Sequence, residues 1–178
     1  MSDVDVWALV AKITESEFRL EARERYDVAY EAELIRAFEK GRLQPENESV
    51  TRHMTLMRSL RAAGKRPYRV HVISQPLAPY LRYELDAYRE NVEAGEEVFV
   101  TDRAWHSGLT ALTEDFLLLD GDSDHASVVW YRYDEDDDLS ALEYSADPAD
   151  IARCCRHRDL AMEYAVPVDE FNRSVNLT

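Results

Sequence analysis

The stretch "PYRVHVISQPLAPYLRYELDAYRENVEAGEEVFVTD", residues 67–102, decides the fold class. Its opening, "PYRVHVIS", concentrates Val70, Val72 and Ile73, and β-branched side chains suit a pleated, buried surface; Pro76 then closes the strand. Over 78–95, "APYLRYELDAYRENVEAG", the period changes. Leu81, Leu85, Tyr88 and Val92 recur at steps of four, three and four, which makes one apolar stripe of a helix. Arg82–Asp86 and Arg89–Glu93 have the i,i+4 spacing of surface ion pairs, and Gly95 ends the helix. "EEVFVTD", 96–102, is a second strand. Strand, helix and strand at this length form a βαβ unit, whose two strands should lie parallel.

Downstream, "DFLLLD" (115–120) and "ASVVWYRYD" (126–134) read as a hairpin around "GDSDH". Its first strand is apolar throughout, which predicts cover on both faces and a central place in the sheet. "LSALEYS" (139–145) adds a meander strand after the acidic turn "EDDD", and a helix runs over 148–165 from Asp147-Pro148 to a stop at Pro167. Upstream, 3–12 suits a short helix anchored by Trp7, Ala8 and Val10. Residues 17–26 alternate, with Phe18, Leu20 and Ala22 on one face and Arg19, Glu21 and Arg23 on the other, as a half-buried strand does. "AYEAELIRAFEKG" (29–41) is a helix anchored by Tyr30, Leu34, Ile35 and Phe38. After the polar "RLQPENES", a helix over 50–63 turns Met54, Met57 and Leu60 inward and stops at Gly64. The expectation is one α/β domain with an α+β tendency. It has a central mixed sheet, a βαβ unit followed by an antiparallel hairpin or meander, and helices packed on the sheet. Its core spans 17–166, with 1–13 and 167–178 as terminal extensions.

The 178 residues carry a formal charge of −15. Phosphate backbones repel such a chain, so direct nucleic-acid binding is not expected, whereas a basic protein partner is favoured electrostatically. No apolar run approaches the ~18 residues of a membrane span. The acidic start "MSDVDVWALV" is unlike a signal peptide, and the two cysteines, Cys154 and Cys155, are neighbours rather than a disulfide framework. These features point to a cytoplasmic protein.

Three aspartates alternate at Asp120, Asp122 and Asp124. Numbered as an EF-hand loop from Asp120, the glycine position is His125 and the bidentate acid position is Tyr131, so both requirements fail. A hairpin turn, with Asp120 structural, is the better reading. A strand after a βαβ unit ending in Asp also has a topological resemblance to phospholipase-D-type phosphodiesterases. There His-x-Lys-x-x-x-x-Asp supplies a nucleophile and a phosphate-binding cation. Here those positions are Thr113 and Asp115, so a fold of that kind would be catalytically dead. His53, His71, His106, His125 and His157 fall in separate segments, and the adjacent cysteines lack zinc spacing. Ser74 lacks the glycine-framed turn of a nucleophile. No metal, cofactor or catalytic residue is assigned.

Three ordered motifs carry a family resemblance: "FRLEARERY" with "FEKG", then "RVHVISQPLAPYLRYE" with "NVEAGEEV", then "DFLLLD". Together they resemble an uncharacterised actinobacterial domain family, often encoded beside helix-turn-helix regulators. The chain departs from that pattern at Arg19, Glu24, His71, Gln75 and Leu117. The resemblance implies a non-enzymatic regulatory or partner-binding protein, acting with a DNA-binding helix-turn-helix regulator. Its matching positions supply the ligand- or partner-binding candidates Glu21, Arg23, Tyr26, Tyr80, Arg82, Glu84, Asn91 and Glu96; Asp115 and Asp120 also match. The alternative is an enzyme or accessory protein of a biosynthetic pathway. It would pair Glu21 or Glu84 with His71 at the C-terminal ends of the βαβ strands, where α/β sheets hold ligands.

Overall fold

The computed structural model describes residues 4–26, 31–41, 47–135 and 138–177. In chain order the elements are α1 (Val6–Ala11), β1 (Ser16–Glu21), α2 (Glu31–Glu39), α3 (Glu48–Ala62), β2 (Arg66–Ile73), α4 (Pro79–Glu93) and β3 (Glu97–Asp102). They continue with β4 (Asp115–Leu119), β5 (Ser127–Tyr133), β6 (Leu139–Ser145), α5 (Pro148–Tyr164), β7 (Val166–Pro167) and α6 (Val168–Ser174). Among the described residues seven strands form one mixed sheet, in the order β6-β5-β4-β1-β2-β3-β7. β1, β2 and β3 are parallel, with Leu20 beside Val70 and Val70 beside Phe99. β4 runs antiparallel to β1, and β5 and β6 continue as a meander. The βαβ unit, the hairpin and the third meander strand thus stand as the sequence predicts.

Local chemistry sets the element ends. Asn47 starts α3 by accepting the Ser49 and Val50 N–H groups, and Asp147 starts α5 by accepting that of Ala149, with Pro148 in the first turn. Gly95, between α4 and β3, has φ +95°, and a Cβ there would lie 2.9 Å from Arg61 Cγ. Backbone angle and space both call for glycine.

Both sheet faces carry buried clusters, and they differ in character. On one, Phe18, Leu20, Tyr68, Val70, Phe116 and Trp130 pack with Cys154 and Ala161 of α5 into an apolar core. The other carries two apolar patches. Val10, Met54, Met57 and Leu60 from α1 and α3 pack on Leu117, Leu119 and Val129. Leu81, Leu85 and Tyr88 of α4 pack on Ile73, Val98 and Val100. On this second face β1 and β2 present Glu17, Arg19, Glu21, Arg69 and His71. Among the described residues no helix is long and apolar enough to cross a membrane.

Several expectations change. β1 ends at Glu21, not 26, and its charged face meets protein rather than solvent. Glu17 is buried and Arg19 and Glu21 are half-buried. On α4 the apolar stripe stops at Tyr88. Val92 is 37% exposed, whereas Asn91, one step of three beyond Tyr88, is buried. Asp86 pairs with Arg89 at 2.7 Å, in place of the expected pairing of Arg82 with Asp86. Chain order continues past Pro167: β7 joins the sheet edge beside β3, and Val168 and Phe171 of α6 pack against α4 and β3. Tyr30 and the side chain of Leu34, two expected anchors of α2, lie outside the described residues, as do most of "RLQPENES" (42–46) and part of "EDDD" (136–137).

Candidate functional site

A cavity of about 970 Å³ opens where the second sheet face is left uncovered between α1, α3 and α4. That size accommodates a small organic molecule. Its floor is Arg19 and Glu21 of β1, Arg69 of β2, Asp115 of β4 and Tyr131 and Tyr133 of β5. Tyr80, Glu84 and Tyr88 project from α4, while Trp7, Val10, Val50, Met54 and Leu142 make an apolar wall. Period two in the strands explains the floor: the odd residues of β1 and β2 face it, and the even ones face α5.

Arg69 is the hub. Its guanidinium binds Glu96 through Nε at 2.5 Å and Nη2 at 3.0 Å, and Glu21 through Nη1 at 3.1 Å. Asn91 donates to Glu96 at 2.6 Å, and His53 Nε2 stands 3.3 Å from the same carboxylate. The Arg69 and Glu96 side chains are only 5% and 1% exposed, so water does not share this pairing. Burial pushes the Glu96 carboxyl up, but Arg69 and His53 outweigh it and hold it well below the usual range. Burial also opposes ionisation of Glu21. Arg69, His71 and Arg19, with the Tyr88 hydroxyl, nevertheless bring it down to about 2.

A second chain of contacts meets the first at Glu21. The Tyr88 hydroxyl lies 2.5 Å from Glu21 Oε2 and 2.8 Å from His71 Nδ1. His71 Nε2 faces the Arg23 carbonyl at 3.0 Å, an acceptor, so that nitrogen carries a hydrogen. Tyr88 has one proton. Given to Glu21, it leaves the phenol oxygen facing His71 Nδ1, so the hydroxyl bridges the carboxylate and the imidazole. Arg19 completes the floor, 3.3 Å from Glu17 and 3.9 Å from Glu21, with its Nε buried and without a partner.

At the β4–β5 end Asp115 is buried. It accepts the Ala22 N–H at 2.7 Å and the Tyr133 hydroxyl at 2.9 Å. Burial raises its carboxyl above the ordinary range, against the hydrogen bonds it receives. Tyr26 packs edge-on to Tyr80, with ring centres 6.1 Å apart, and lies 6.2 Å from Tyr133. The Arg23 guanidinium sits 4.1 Å over the Tyr133 ring.

Of the eight candidates, Glu21, Tyr26, Tyr80, Glu84 and Asn91 line the cavity. Glu96 stands behind it, joined through Arg69 and Asn91, and Arg23 reaches it through Tyr133. Arg82 is exposed on α4 and takes no part. The histidines do not stay separate: His53 and His71 meet the same network from opposite ends. Arg19, His53, Arg69, Tyr131 and Tyr133 are additional members. The available signal for Arg69 was an arginine inside a strand too apolar to have a solvent face.

Asp120 and Asp122 serve the fold. Asp120, at φ +50°, accepts the backbone N–H groups of Thr14, Glu15 and Ser16 at 2.7 to 3.0 Å and so ties the hairpin to the start of β1. Burial opposes its ionisation, and those N–H groups more than offset it, so its carboxyl is lowered. Asp122 forms a two-pronged pair with Arg158 of α5, both contacts at 2.9 Å. Cys154 and Cys155 are free thiols, and burial pushes Cys154 up to about 12. Among the described residues, no group of three or more His, Cys, Asp or Glu is placed to hold a metal ion.

Among curated proteins, no relative matches this sequence. One family model covers nearly its whole length, residues 4–173, and takes in both the floor of the cavity and the helices that wall it. The chain belongs to the family described as Domain of unknown function (DUF6879).

Proposed function

We propose that this chain is a non-catalytic regulatory domain that binds a small molecule in the cavity over β1, β2, β4 and β5. The cavity carries the reading: it is large, bounded by an apolar wall on one side, and floored by ordered polar groups. Two polar groups of its floor and the wall beside it, Glu21 and His71, are already committed. Glu21 is held ionised by Arg69 and bonded by Tyr88, and both His71 nitrogens have partners. A general base near neutrality needs a carboxylate or imidazole free to exchange its proton, and this pair is committed to the fold. Such a site recognises rather than reacts. The charge of −15 suits a basic protein partner, and a helix-turn-helix regulator is the partner implied by the family resemblance.

Thermal-shift screening with a metabolite library tests this, run on the wild type and on Ala87→Trp, which fills the cavity from α4. A ligand at a hundred times its Kd should stabilise the wild type by about 2.7 kcal/mol and leave the variant unmoved. Equal responses from both proteins, or no response from the wild type, would overturn the reading.

One observation favours a second reading, an acid–base enzyme. Asp115, with its raised carboxyl, stands beside the Tyr133 hydroxyl in the cavity, as a general acid would. Turnover of a cavity ligand that Asp115→Asn abolishes without weakening its binding would select this reading.

A further inference from the structure

Arg19 brings more N–H donors to the cavity floor than the fold uses. Its Nη2 donates to Glu17 at 3.3 Å. Its Nη1 stands 3.9 Å from Glu21, beyond hydrogen-bond range, and its Nε is buried without a partner. The side chain is 21% exposed and lines the cavity. Tyr131 of β5 lines it too. Its phenol lies within electrostatic reach of Arg19, and among the described residues its hydroxyl has no hydrogen-bond partner. A guanidinium and a hydroxyl, both with unmet capacity, therefore border the same space.

Strand register places them at a seam. Arg19 lies beside Leu117 and Leu117 beside Val129, while Tyr131 follows two residues on, on the same face. Leu117 and Val129 belong to the apolar patch with Met54, and Val50 and Tyr131 pack against it. The two polar groups thus stand where the apolar patch meets the charged floor. A ligand resting on Val50 and Met54 brings its polar end to them.

Charge decides what that end is. Arg19 and Arg69 face three carboxylates, Glu17, Glu21 and Glu96. With His53 protonated beside Glu96 the charges balance; with it neutral they are negative in sum. The floor offers N–H and O–H donors without a surplus of positive charge. A carboxylate would add an anion beside Glu17 and Glu21, and an ammonium has no acceptor to give. An uncharged acceptor suits both conditions.

We propose that the cavity takes an uncharged ligand with a carbonyl group on an apolar body, such as a ketone, ester or amide. The carbonyl oxygen accepts from Arg19 Nη1 and from the Tyr131 hydroxyl, and the body lies against Val50 and Met54. This names the ligand class for the binding reading above and rests on it.

Calorimetric titration with three probes of one shape tests the assignment: 4-phenyl-2-butanone, the anionic 3-phenylpropanoate and the cationic 4-phenyl-2-butanamine. The ketone should bind roughly tenfold tighter than either ion. Tyr131→Phe removes a hydroxyl that holds no other side chain, so the fold is spared. It should weaken the ketone about three- to tenfold and leave the amine unchanged. Arg19→Lys keeps a cation between Glu17 and Glu21 but loses the planar fork, and should weaken the ketone by about the same factor. An ion that binds as tightly as the ketone overturns the assignment, and so does either variant binding the ketone as the wild type does. Silence from all three probes, while Ala87→Trp abolishes binding of some library compound, overturns the assignment and leaves the ligand-binding reading standing. Silence in both experiments overturns both.

Discussion

Replacing Arg69 by Met removes the cation between two carboxylates and leaves a side chain of similar length. The Glu96 side chain is 1% exposed and that of Glu21 13%, so Glu96 gains no water in exchange for its partner and Glu21 only a little. Removing one member of a buried pair typically costs about 3–5 kcal/mol, most of it the penalty of the stranded charge. That is a large share of the roughly 5–15 kcal/mol by which a domain is stable. At about 2–4 °C per kcal/mol for a chain of this size, Tm should fall by roughly 6–20 °C. The pH dependence should change sign as well. In the wild type both carboxyls are depressed in the folded state. Their contribution is present above about pH 4.3, the unfolded value, and is lost as pH falls toward 2. Without Arg69, burial dominates and raises both carboxyls in the folded state. The variant should be least stable at neutral pH and regain stability, relative to wild type, as pH falls toward 5. Urea unfolding at pH 7 and pH 5 measures both effects. The double variant Arg69→Met/Glu96→Gln should recover part of the loss, giving a coupling of about 1–3 kcal/mol. If Arg69→Met costs less than ~1 kcal/mol, as an exposed pair would, or follows the wild type's acid profile, the network is not the buried hub described here.

Asp120→Ala should cost roughly 2–4 kcal/mol in urea unfolding, because three backbone N–H groups at 14–16 lose a charged acceptor. Asp120→Gly, which fits φ +50° without strain, should be nearly as costly; near-wild-type stability for it would assign Asp120's role to backbone angle alone. Asp122→Asn/Asp124→Asn should cost under ~1 kcal/mol, since the Asp122–Arg158 pair is largely exposed on its acidic side. Millimolar calcium should leave the wild-type Tm unchanged, and a rise of several degrees that this double variant abolishes would make the turn a metal site.

Much of the cavity was visible as residue types without being visible as a place. Glu21, Tyr26, Tyr80, Glu84 and Asn91 stood out through motif resemblance, and they do line one cavity. Arg82 stood out equally and is exposed, because a motif position says nothing about which side of a helix faces the sheet. His53 and Arg69 are 16 residues apart in sequence, yet their side chains approach to 3.2 Å. No local pattern encodes that approach, since it depends on α3 folding back over β2.

What the sequence determined by itself is most of the elements, the parallel pair of the βαβ unit and the meander that follows it. Chain-local forces govern these: β-branched density in 67–74, helical spacing at Leu81, Leu85 and Tyr88, and the Asp-Gly turn at 120–121. It also determined that Phe116 to Leu119 lie inside the sheet, because four apolar residues in a row leave neither strand face for water, and all four are buried. Only tertiary structure decided what the charged face of β1 meets. Alternation in "EFRLE" specifies two faces of different polarity and is equally satisfied by solvent or by a buried counter-charge. α3 and α4 close over that face and bring Glu96 to Arg69 across 27 residues, so the polar side became the floor of a cavity. Burying charge is costly unless a partner arrives from elsewhere in the chain, and that partner is a property of the fold rather than of the strand.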